Sequence, residues 1–243
     1  MIISTSNAIA NNTPSLVAGT VTSGTALINV LNPDFSNMVS SASSTFTFTV
    51  GQVVGCDYIA LHGCRLPVGT VVTVSATGYS YTFTVTDKEN PNIVFYTNNT
   101  SLDNIQVSLV GAGTKTISYI QAGTATVVPW GTNAGQSLYY LGYNSKNRTS
   151  VGSLGVPVLR TQNKVAPKLR LTIKNVLKAW ARDDLKQIFN HYQTYGVLSI
   201  LDYENEIKPD ESVAGFNLEN VDVKTHSQTL ELVDVAFSVQ VSV

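Results

Sequence analysis

Charged residues are scarce in this sequence. Of its 243 residues only 13% are charged, about half the fraction usual in soluble domains, and 15 basic residues balance 16 acidic ones. This balance leaves no net positive charge that would attract a phosphate backbone or an anionic membrane. No apolar run is long enough for a membrane span, and residues 1–6 lack the basic and apolar regions of a signal peptide. We therefore expect a protein made in the cytoplasm, without nucleic-acid specificity.

Cysteine is scarce as well, and its spacing argues against a disulfide. Cys56 and Cys64 are the only two cysteines. Along one extended strand they would lie roughly 26 Å apart, so we predict two reduced, half-buried thiols. A zinc site made from these thiols and His62 would lack the usual ligand spacing, and a single strand cannot wrap a tetrahedral ion. We therefore predict no metal site.

Catalytic and cofactor motifs are also missing. The sequence has no Gly-x-Ser-x-Gly elbow, no Walker loop and no dinucleotide-binding fingerprint. Asp183 and Asp184 are interpreted as charges near a helix N-terminus, and the carboxylates of residues 202–211 as a solvated turn rather than a calcium loop. A glycosidase would need two carboxylates across a cleft, and the candidates are scattered. We expect no enzymatic activity and no cofactor.

The sequence does contain dense β-strand patterning in its first part. Apolar or aromatic residues alternate with threonine and serine in residues 45–50, 72–75 and 79–85, a period of two that is typical of half-buried strands. Further strands are predicted at residues 93–97, 105–110 and 116–121. Short strands at this spacing, without helical patterns between them, indicate a β-sandwich or jelly roll.

The density of charge changes near residue 150. Residues 1–150 contain five basic and five acidic residues, whereas residues 151–243 contain ten and eleven. Between these parts, residues 143–153 are polar and without periodicity, which is typical of a connection between packed bodies. We predict a first domain over residues 1–145, whose first 25 residues can pair with the second, and a second domain over residues 146–243.

The second part combines strands with one helix. Residues 168–174 alternate like a strand, and a helix is predicted over residues 178–195 from the apolar positions that share one face. These positions are Ala181, Leu185, Ile188, Phe189 and Tyr192. Gly196 should end the helix, and strands are predicted at residues 197–203 and 233–243. His191 is expected on the polar side of the helix.

Four aromatic residues are candidates for contact with a ligand or a partner. Trp130, Tyr139 and Tyr140 lie near the predicted domain boundary, and Tyr79 lies on a predicted strand. Their rings could stack on a sugar or pack against another subunit. The alternative for the boundary residues is packing between the two domains. The sequence leaves both interpretations open.

The strand succession resembles that of a known family. Residues 54–66, 69–74 and 116–123 are similar to galactose-binding-like (discoidin-type) jelly rolls of bacteriophage virion proteins. The second part, with its Leu169-Arg170-Leu171 strand, its helix ending at Gly196 and its closing strand, resembles the body of phage tail-tube and distal-tail proteins. The resemblance implies a mainly β fold, in which a jelly-roll β-sandwich precedes an α+β tail-tube-like β-sandwich with one helix.

This resemblance also implies a function. It suggests a structural virion protein of a phage tail, in the distal tail, the tail tip or the baseplate. Such a protein would assemble as a trimeric or hexameric ring and link the tail tube to tip or host-adhesion proteins. The alternative is a carbohydrate-binding module that recognises a glycan on the host surface.

Overall fold

Strands dominate the part of the chain that the structure describes. The computed structural model describes residues 1–51, 55–86, 92–97, 102–128, 144–151, 157–165, 168–201, 212–225 and 231–242. In chain order the strands are β1 (Ile2–Ser4), β2 (Ser15–Ala18), β3 (Val39–Ser41), β4 (Thr45–Thr49), β5 (Tyr58–His62), β6 (Val71–Ala76), β7 (Tyr79–Thr84), β8 (Ile93–Tyr96), β9 (Gln106–Val110), β10 (Lys115–Ile117), β11 (Tyr119–Gly123), β12 (Ala125–Val127), β13 (Asn144–Val151), β14 (Pro157–Val165), β15 (Lys168–Leu177), β16 (Leu198–Leu201), β17 (Ser212–Thr225) and β18 (Leu232–Ser242). The predicted class, mainly β with one helix, is confirmed.

The first body is a β-sandwich. One layer is the five-stranded sheet β2-β4-β9-β6-β7, and the other contains β11-β5-β8. Alternate residues of both layers meet in one core, which includes Phe46, Phe48, Val74, Leu109, Ile59, Leu61 and Ile120. Each aliphatic or aromatic side chain removed from water contributes about 1.5–3 kcal/mol. The strands predicted at residues 45–50, 72–75, 79–85, 93–97 and 105–110 are all present, whereas the one predicted at 116–121 is divided into β10 and β11.

Strand β5 is buried on both faces. Its odd-numbered residues, Ile59 and Leu61, point into the sandwich core. Its even-numbered apolar residues form a second cluster with the next layer, made of Ile2, Tyr58, Ala60, Val94 and Leu201. The sandwich therefore has a further sheet packed against the outer face of its smaller layer.

The second body is a six-stranded antiparallel sheet, in the order β12-β1-β16-β17-β18-β15. Its N-terminal strand β1 lies between strands that are distant in sequence: Ile3 pairs with Thr126 on one side and with Ile200 on the other. The sheet has its own core, which includes Leu171, Ile173, Leu198, Ile200, Val235, Phe237 and Val239.

One helical stretch covers this sheet. It consists of α1 (Lys178–Trp180), a π-helical turn (Ala181–Leu185) and α2 (Lys186–Tyr195). Gly196 ends it in the left-handed conformation, with φ of 70°, and its N–H donates to the Tyr192 carbonyl at 2.7 Å. The predicted helix over residues 178–195 is confirmed. Within the described residues, no helix is long and apolar enough to cross a membrane.

Two features differ from the sequence-based expectations. The polar stretch over residues 143–153 was expected to be a connection, but Asn144–Val151 is a strand paired with β14 in a two-stranded sheet. Strand β17 was not predicted, because its register shifts on either side of Glu219 interrupt the alternation. The boundary between residues 145 and 146 falls inside this β13 strand and stays a prediction.

The two cysteines are free thiols, as predicted, but both are buried rather than half-buried. Cys56 and Cys64 flank β5, where they pack into the sandwich core. Burial raises the pKa of Cys56 to about 11, with smaller contributions from Asp57 and Asp103, and the pKa of Cys64 to about 12. Both thiols therefore stay protonated and inert at neutral pH.

Gly63, directly after β5, gives a test of the packing. A Cβ at this position would lie 2.5 Å from Ser118 Oγ, and φ is already 61°. Gly24 has a φ of 86° with nothing within 4 Å. We expect Gly63→Ala to destabilise the protein by about 1–3 kcal/mol more than Gly24→Ala, which adds only backbone strain. Urea unfolding measures both, and equal losses would contradict the close approach at Gly63.

Candidate functional site

Of the aromatic residues proposed from the sequence, only Tyr79 lies in the described part of the chain. It is the first residue of β7. Trp130, Tyr139 and Tyr140 lie outside the described residues, so their proposed role stays a prediction.

Strand β7 presents three aromatic rings on one face, which we call the β7 stripe: Tyr79, Tyr81 and Phe83. They occupy alternate positions of the strand, so they share a face. Tyr79 and Phe83 are half-buried and pack against the sandwich core, while Tyr81 is 36% exposed. The stripe therefore lies on the core-facing side of β7, and Tyr81 is its exposed ring.

The β7 stripe lies at one edge of the sandwich. β7 is an edge strand of the five-stranded sheet, and Tyr81 makes an edge-on contact with Phe95 of β8, with ring centroids 5.5 Å apart. Beside Tyr79, the turn between β6 and β7 carries Thr77, whose hydroxyl accepts a hydrogen bond from the exposed Asn104 amide at 3.3 Å. Aromatic surface and polar groups thus occur side by side.

A second candidate is a buried polar cluster between the two bodies, which we call the interbody network: His62, Asn92, Gln121, His191 and Ser199. His62, Asn92 and Gln121 belong to the sandwich, Ser199 to β16 and His191 to α2. All five are buried. They lie together because the outward face of β5 and β11 packs against β16 and the helix.

The network is a continuous chain of short polar contacts. Asn92 Oδ1 lies 3.1 Å from His62 Nδ1, and His62 Nε2 lies 2.8 Å from Ser199 Oγ. The Ser199 hydroxyl donates to Gln121 Oε1 at 2.6 Å, and Gln121 Nε2 lies 2.9 Å from His191 Nε2. Because the Gln121 amide is a donor there, His191 Nε2 is the acceptor. The proton of neutral His191 is then on Nδ1, which is buried without a partner in the described part of the chain.

Burial controls the protonation of both rings. It lowers the pKa of His62 to about 4, against a smaller opposite effect of the Asn92 hydrogen bond, and lowers the pKa of His191 to about 4. Charging a buried imidazole costs hydration that uncharged neighbours do not replace. Both histidines are therefore neutral at pH 7.

The contacts among Ser199, His62 and Asn92 have the distances of a nucleophile, a base and an orienting group. They lack the access that nucleophilic catalysis needs, since Ser199 is 3% exposed and His62 is 0% exposed. The Ser199 proton is also directed to Gln121 rather than to His62. This arrangement connects two bodies; the expectation that the chain is not an enzyme stays a prediction.

This network as a whole has no local signal in the sequence, and the position predicted for one of its members was wrong. His191 was expected on the polar side of the helix, but it is 3% exposed. The helix is covered on a second side by the sandwich, which a single apolar face could not reveal. His62 was weighed as a zinc ligand with Cys56 and Cys64, but its two ring nitrogens face Asn92 and Ser199. The one signal in the sequence was a histidine inside the apolar run of β5.

Another buried ionisable group, Lys115, has a structural role. Its Nζ donates to the carbonyls of Ser43 at 2.8 Å, Gly111 at 2.6 Å and Gly113 at 3.2 Å. These bonds satisfy carbonyls of the turn between β9 and β10. Lys115 therefore links that turn to the loop before β4 by hydrogen bonds.

The comparisons with known proteins give weak structural likenesses. No family model matches the chain, and no curated protein matches it. A fucose-binding module from Streptococcus pneumoniae, SpX-3, is similar over 49% of this chain and 98% of that chain, with 10% identity and a TM-score of 0.37. The family 32 CBM from C. perfringens NanJ, solved with galactose, is similar over 49% of this chain and 96% of that chain, with 8% identity and a TM-score of 0.36. Functional inference for this chain therefore rests on its own residues.

The interbody network should contribute to stability through Ser199. Ser199→Ala removes the hydroxyl that joins His62 to Gln121 and leaves buried polar atoms unpaired, which costs about 1–3 kcal/mol. The control is Ser80→Ala, because Ser80 is exposed on β7. Urea unfolding of both variants at pH 7.5 measures the difference. Equal midpoints would show that the network does not stabilise the fold.

Proposed function

We propose that the β-sandwich is a glycan-binding module and that the β7 stripe is its contact surface. A glycan is also the class of ligand after which the two solved modules above are named. The support for the proposal comes from this chain, and the observation that carries it is the exposed Tyr81 ring in a row of three aromatic residues on an edge strand.

Aromatic rings suit a sugar because one face of a pyranose ring is largely C–H and packs on an apolar surface. The stripe provides such a surface at Tyr81, and the half-buried Tyr79 and Phe83 anchor the strand on the core. Burial and the neighbouring Tyr81 raise the pKa of Tyr79, so its hydroxyl is a protonated donor at neutral pH. Thr77 and Asn104 lie at the adjoining turn and offer further polar partners for sugar hydroxyls.

Truncation of Tyr81 tests this assignment. We expect Tyr81→Ala to weaken glycan binding about tenfold or more, because a central aromatic contact is worth at least 1.4 kcal/mol. The binding glycan is first identified on a glycan array, and the affinity is then measured by isothermal titration calorimetry. Thr82→Ala is the matched control, since Thr82 lies next in sequence on the opposite face. Unchanged affinity of Tyr81→Ala, or no bound glycan, would contradict the proposal.

A second candidate function is assembly as a structural subunit of a phage tail. Its basis is the sequence resemblance together with one observation on the second body. Strand β17 carries two exposed valines, Val221 at 46% and Val223 at 48% exposure. Val223 pairs with the buried Val235, so the apolar face of the sheet continues past its covered part. A second copy of the chain would bury this surface in a ring, and other tail proteins would bind that ring.

Substitution of both valines tests assembly. In the proposed ring, the unmodified chain has the native mass of a trimer or hexamer by light scattering behind a sizing column. We expect Val221→Lys with Val223→Lys to yield monomers, because charges would be buried in the contact. Val110→Lys is the control, as Val110 is a 43% exposed valine of the sandwich. A monomeric unmodified chain at all concentrations would contradict this function.

A further inference from the structure

We infer that the interbody network is an acid-sensitive latch: at neutral pH it holds the two bodies together, and protonation of His191 releases the β-sandwich from the sheet and helix. The inference concerns the buried contact between the two bodies, which we call the seam. It is independent of both proposed functions. It rests on the placement of two histidines between two separate hydrophobic cores.

His191 has no acceptor for a second proton. Its Nε2 lies 2.9 Å from Gln121 Nε2, so a proton there would set two donors against each other. Its Nδ1 is already buried without a partner in the described residues. Reversal of the Gln121 amide would offer an oxygen to His191 Nε2, and the Ser199 proton would then turn to His62 Nε2, but His191 Nδ1 would still have no acceptor in the described residues. Protonation therefore leaves a charged ring with an unpaired N–H at the seam.

His62 tolerates a second proton better than His191 does. Its Nδ1 faces Asn92 Oδ1, which can accept a hydrogen bond from a protonated ring. Its Nε2 faces Ser199 Oγ, which has a lone pair available. Burial nevertheless lowers the pKa of both rings to about 4, so both add to the pH dependence of the latch, and His191 is the ring that then carries an N–H without an acceptor in the described residues.

Among the described residues, the groups in contact with the two rings carry no compensating negative charge. The groups that bond or stack with them in the described part are Asn92, Ser199, Gln121, Phe35, Tyr119 and Tyr195. The titratable ones are Tyr119 and Tyr195, and tyrosine hydroxyls carry no charge in acid. Protonated His191 would thus be a buried, unpaired cation, whereas in the open form water would hydrate it.

The direction of the pH effect follows from these environments. Burial lowers the pKa of His191 to about 4, and a solvated histidine titrates near 6.5. The open form therefore binds the proton more readily than the closed form. The contribution of His191 to closure is fully present above about pH 6.5 and is lost as the pH falls toward 4.

Opening of the seam leaves two cores in place. The sandwich core and the core under the helix are distinct clusters of buried residues. The smaller cluster around Tyr58 and Leu201 and the network lie between them. Acid should therefore loosen the seam before it unfolds either body.

Protonation of Asp57 occurs over the same pH range and has the opposite effect on the stability of the folded state. Its Oδ1 accepts a hydrogen bond from the Ala125 N–H at 2.8 Å, and burial raises its pKa to about 6. Because the folded state holds the proton of Asp57 more tightly, acid stabilises the contacts of this group. Asp57→Asn keeps the acceptor oxygen and removes the titration, so it is the background in which the latch is measured.

Hydrogen exchange of the full chain tests the latch in the Asp57→Asn background. Protection of the Ala125 amide, whose hydrogen bond crosses from β12 to residue 57 of the sandwich, is compared with that of amides in β4 and β9 at pH 7.5 and pH 5.0, after correction for intrinsic exchange. We expect each histidine with a pKa of 6.5 when open and about 4 when closed to raise the opening constant of the seam about 30-fold at pH 5.0, so that His191 accounts for one such factor. The strands β4 and β9 should change little.

Variants assign one of these factors to His191. His191→Gln should remove about 30-fold of the rise at pH 5.0, and His62→Gln should remove a comparable factor. His226→Gln, at the third histidine of the sequence, is the control and should behave as its parent. Equal loosening of β4, β9 and the seam, or an unchanged pH response in His191→Gln, would overturn the inference.

A measurement on the unsubstituted ring covers the case in which His191→Gln fails to fold. Nitrogen-15 NMR of the imidazoles in the full chain should show His191 neutral, with its proton on Nδ1, down to about pH 5. A His191 ring that titrates near 6.5 in the folded protein would overturn the inference as well.

Discussion

Burial of strand β5 on both faces is the constraint on which the other layers depend. Alternate side chains point in opposite directions, so Ile59 and Leu61 need one apolar partner layer while Tyr58 and Ala60 need another. The five-stranded sheet supplies the first layer, and β1 with β16 supplies the second. His62 follows the same alternation and is placed in the seam, where only hydrogen bonds can compensate its burial.

The parts of the fold that depend on local periodicity could be predicted from the sequence. Thr45–Thr49 shows its alternation directly, and its phenylalanines are buried as the pattern requires. The helix was recognisable from its apolar face and from Gly196, because a left-handed residue after such a face is a local signal. In both cases a few neighbouring residues contain the whole signal.

The interbody network could not be predicted in the same way, because its members are far apart in the sequence. Ser199 and Gln121 are 78 positions apart, and Ser199 and His62 are 137 apart. No local pattern brings such residues together. Strand β17 was missed for a different reason: Asn217 has a φ of 48° and the register shifts nearby, so apolar and polar residues do not alternate regularly.

The N-terminal strand also sets an order for folding during synthesis. β1 lies between β12 and β16, so its second edge has no partner until the ribosome has made Ile200 and Leu201. The sandwich core needs only residues up to Ala122 and can form earlier. Nascent chains would thus carry a folded first body and an unpaired strand edge for some seventy residues of synthesis, an interval in which a chaperone or a neighbouring nascent chain could pair with β1.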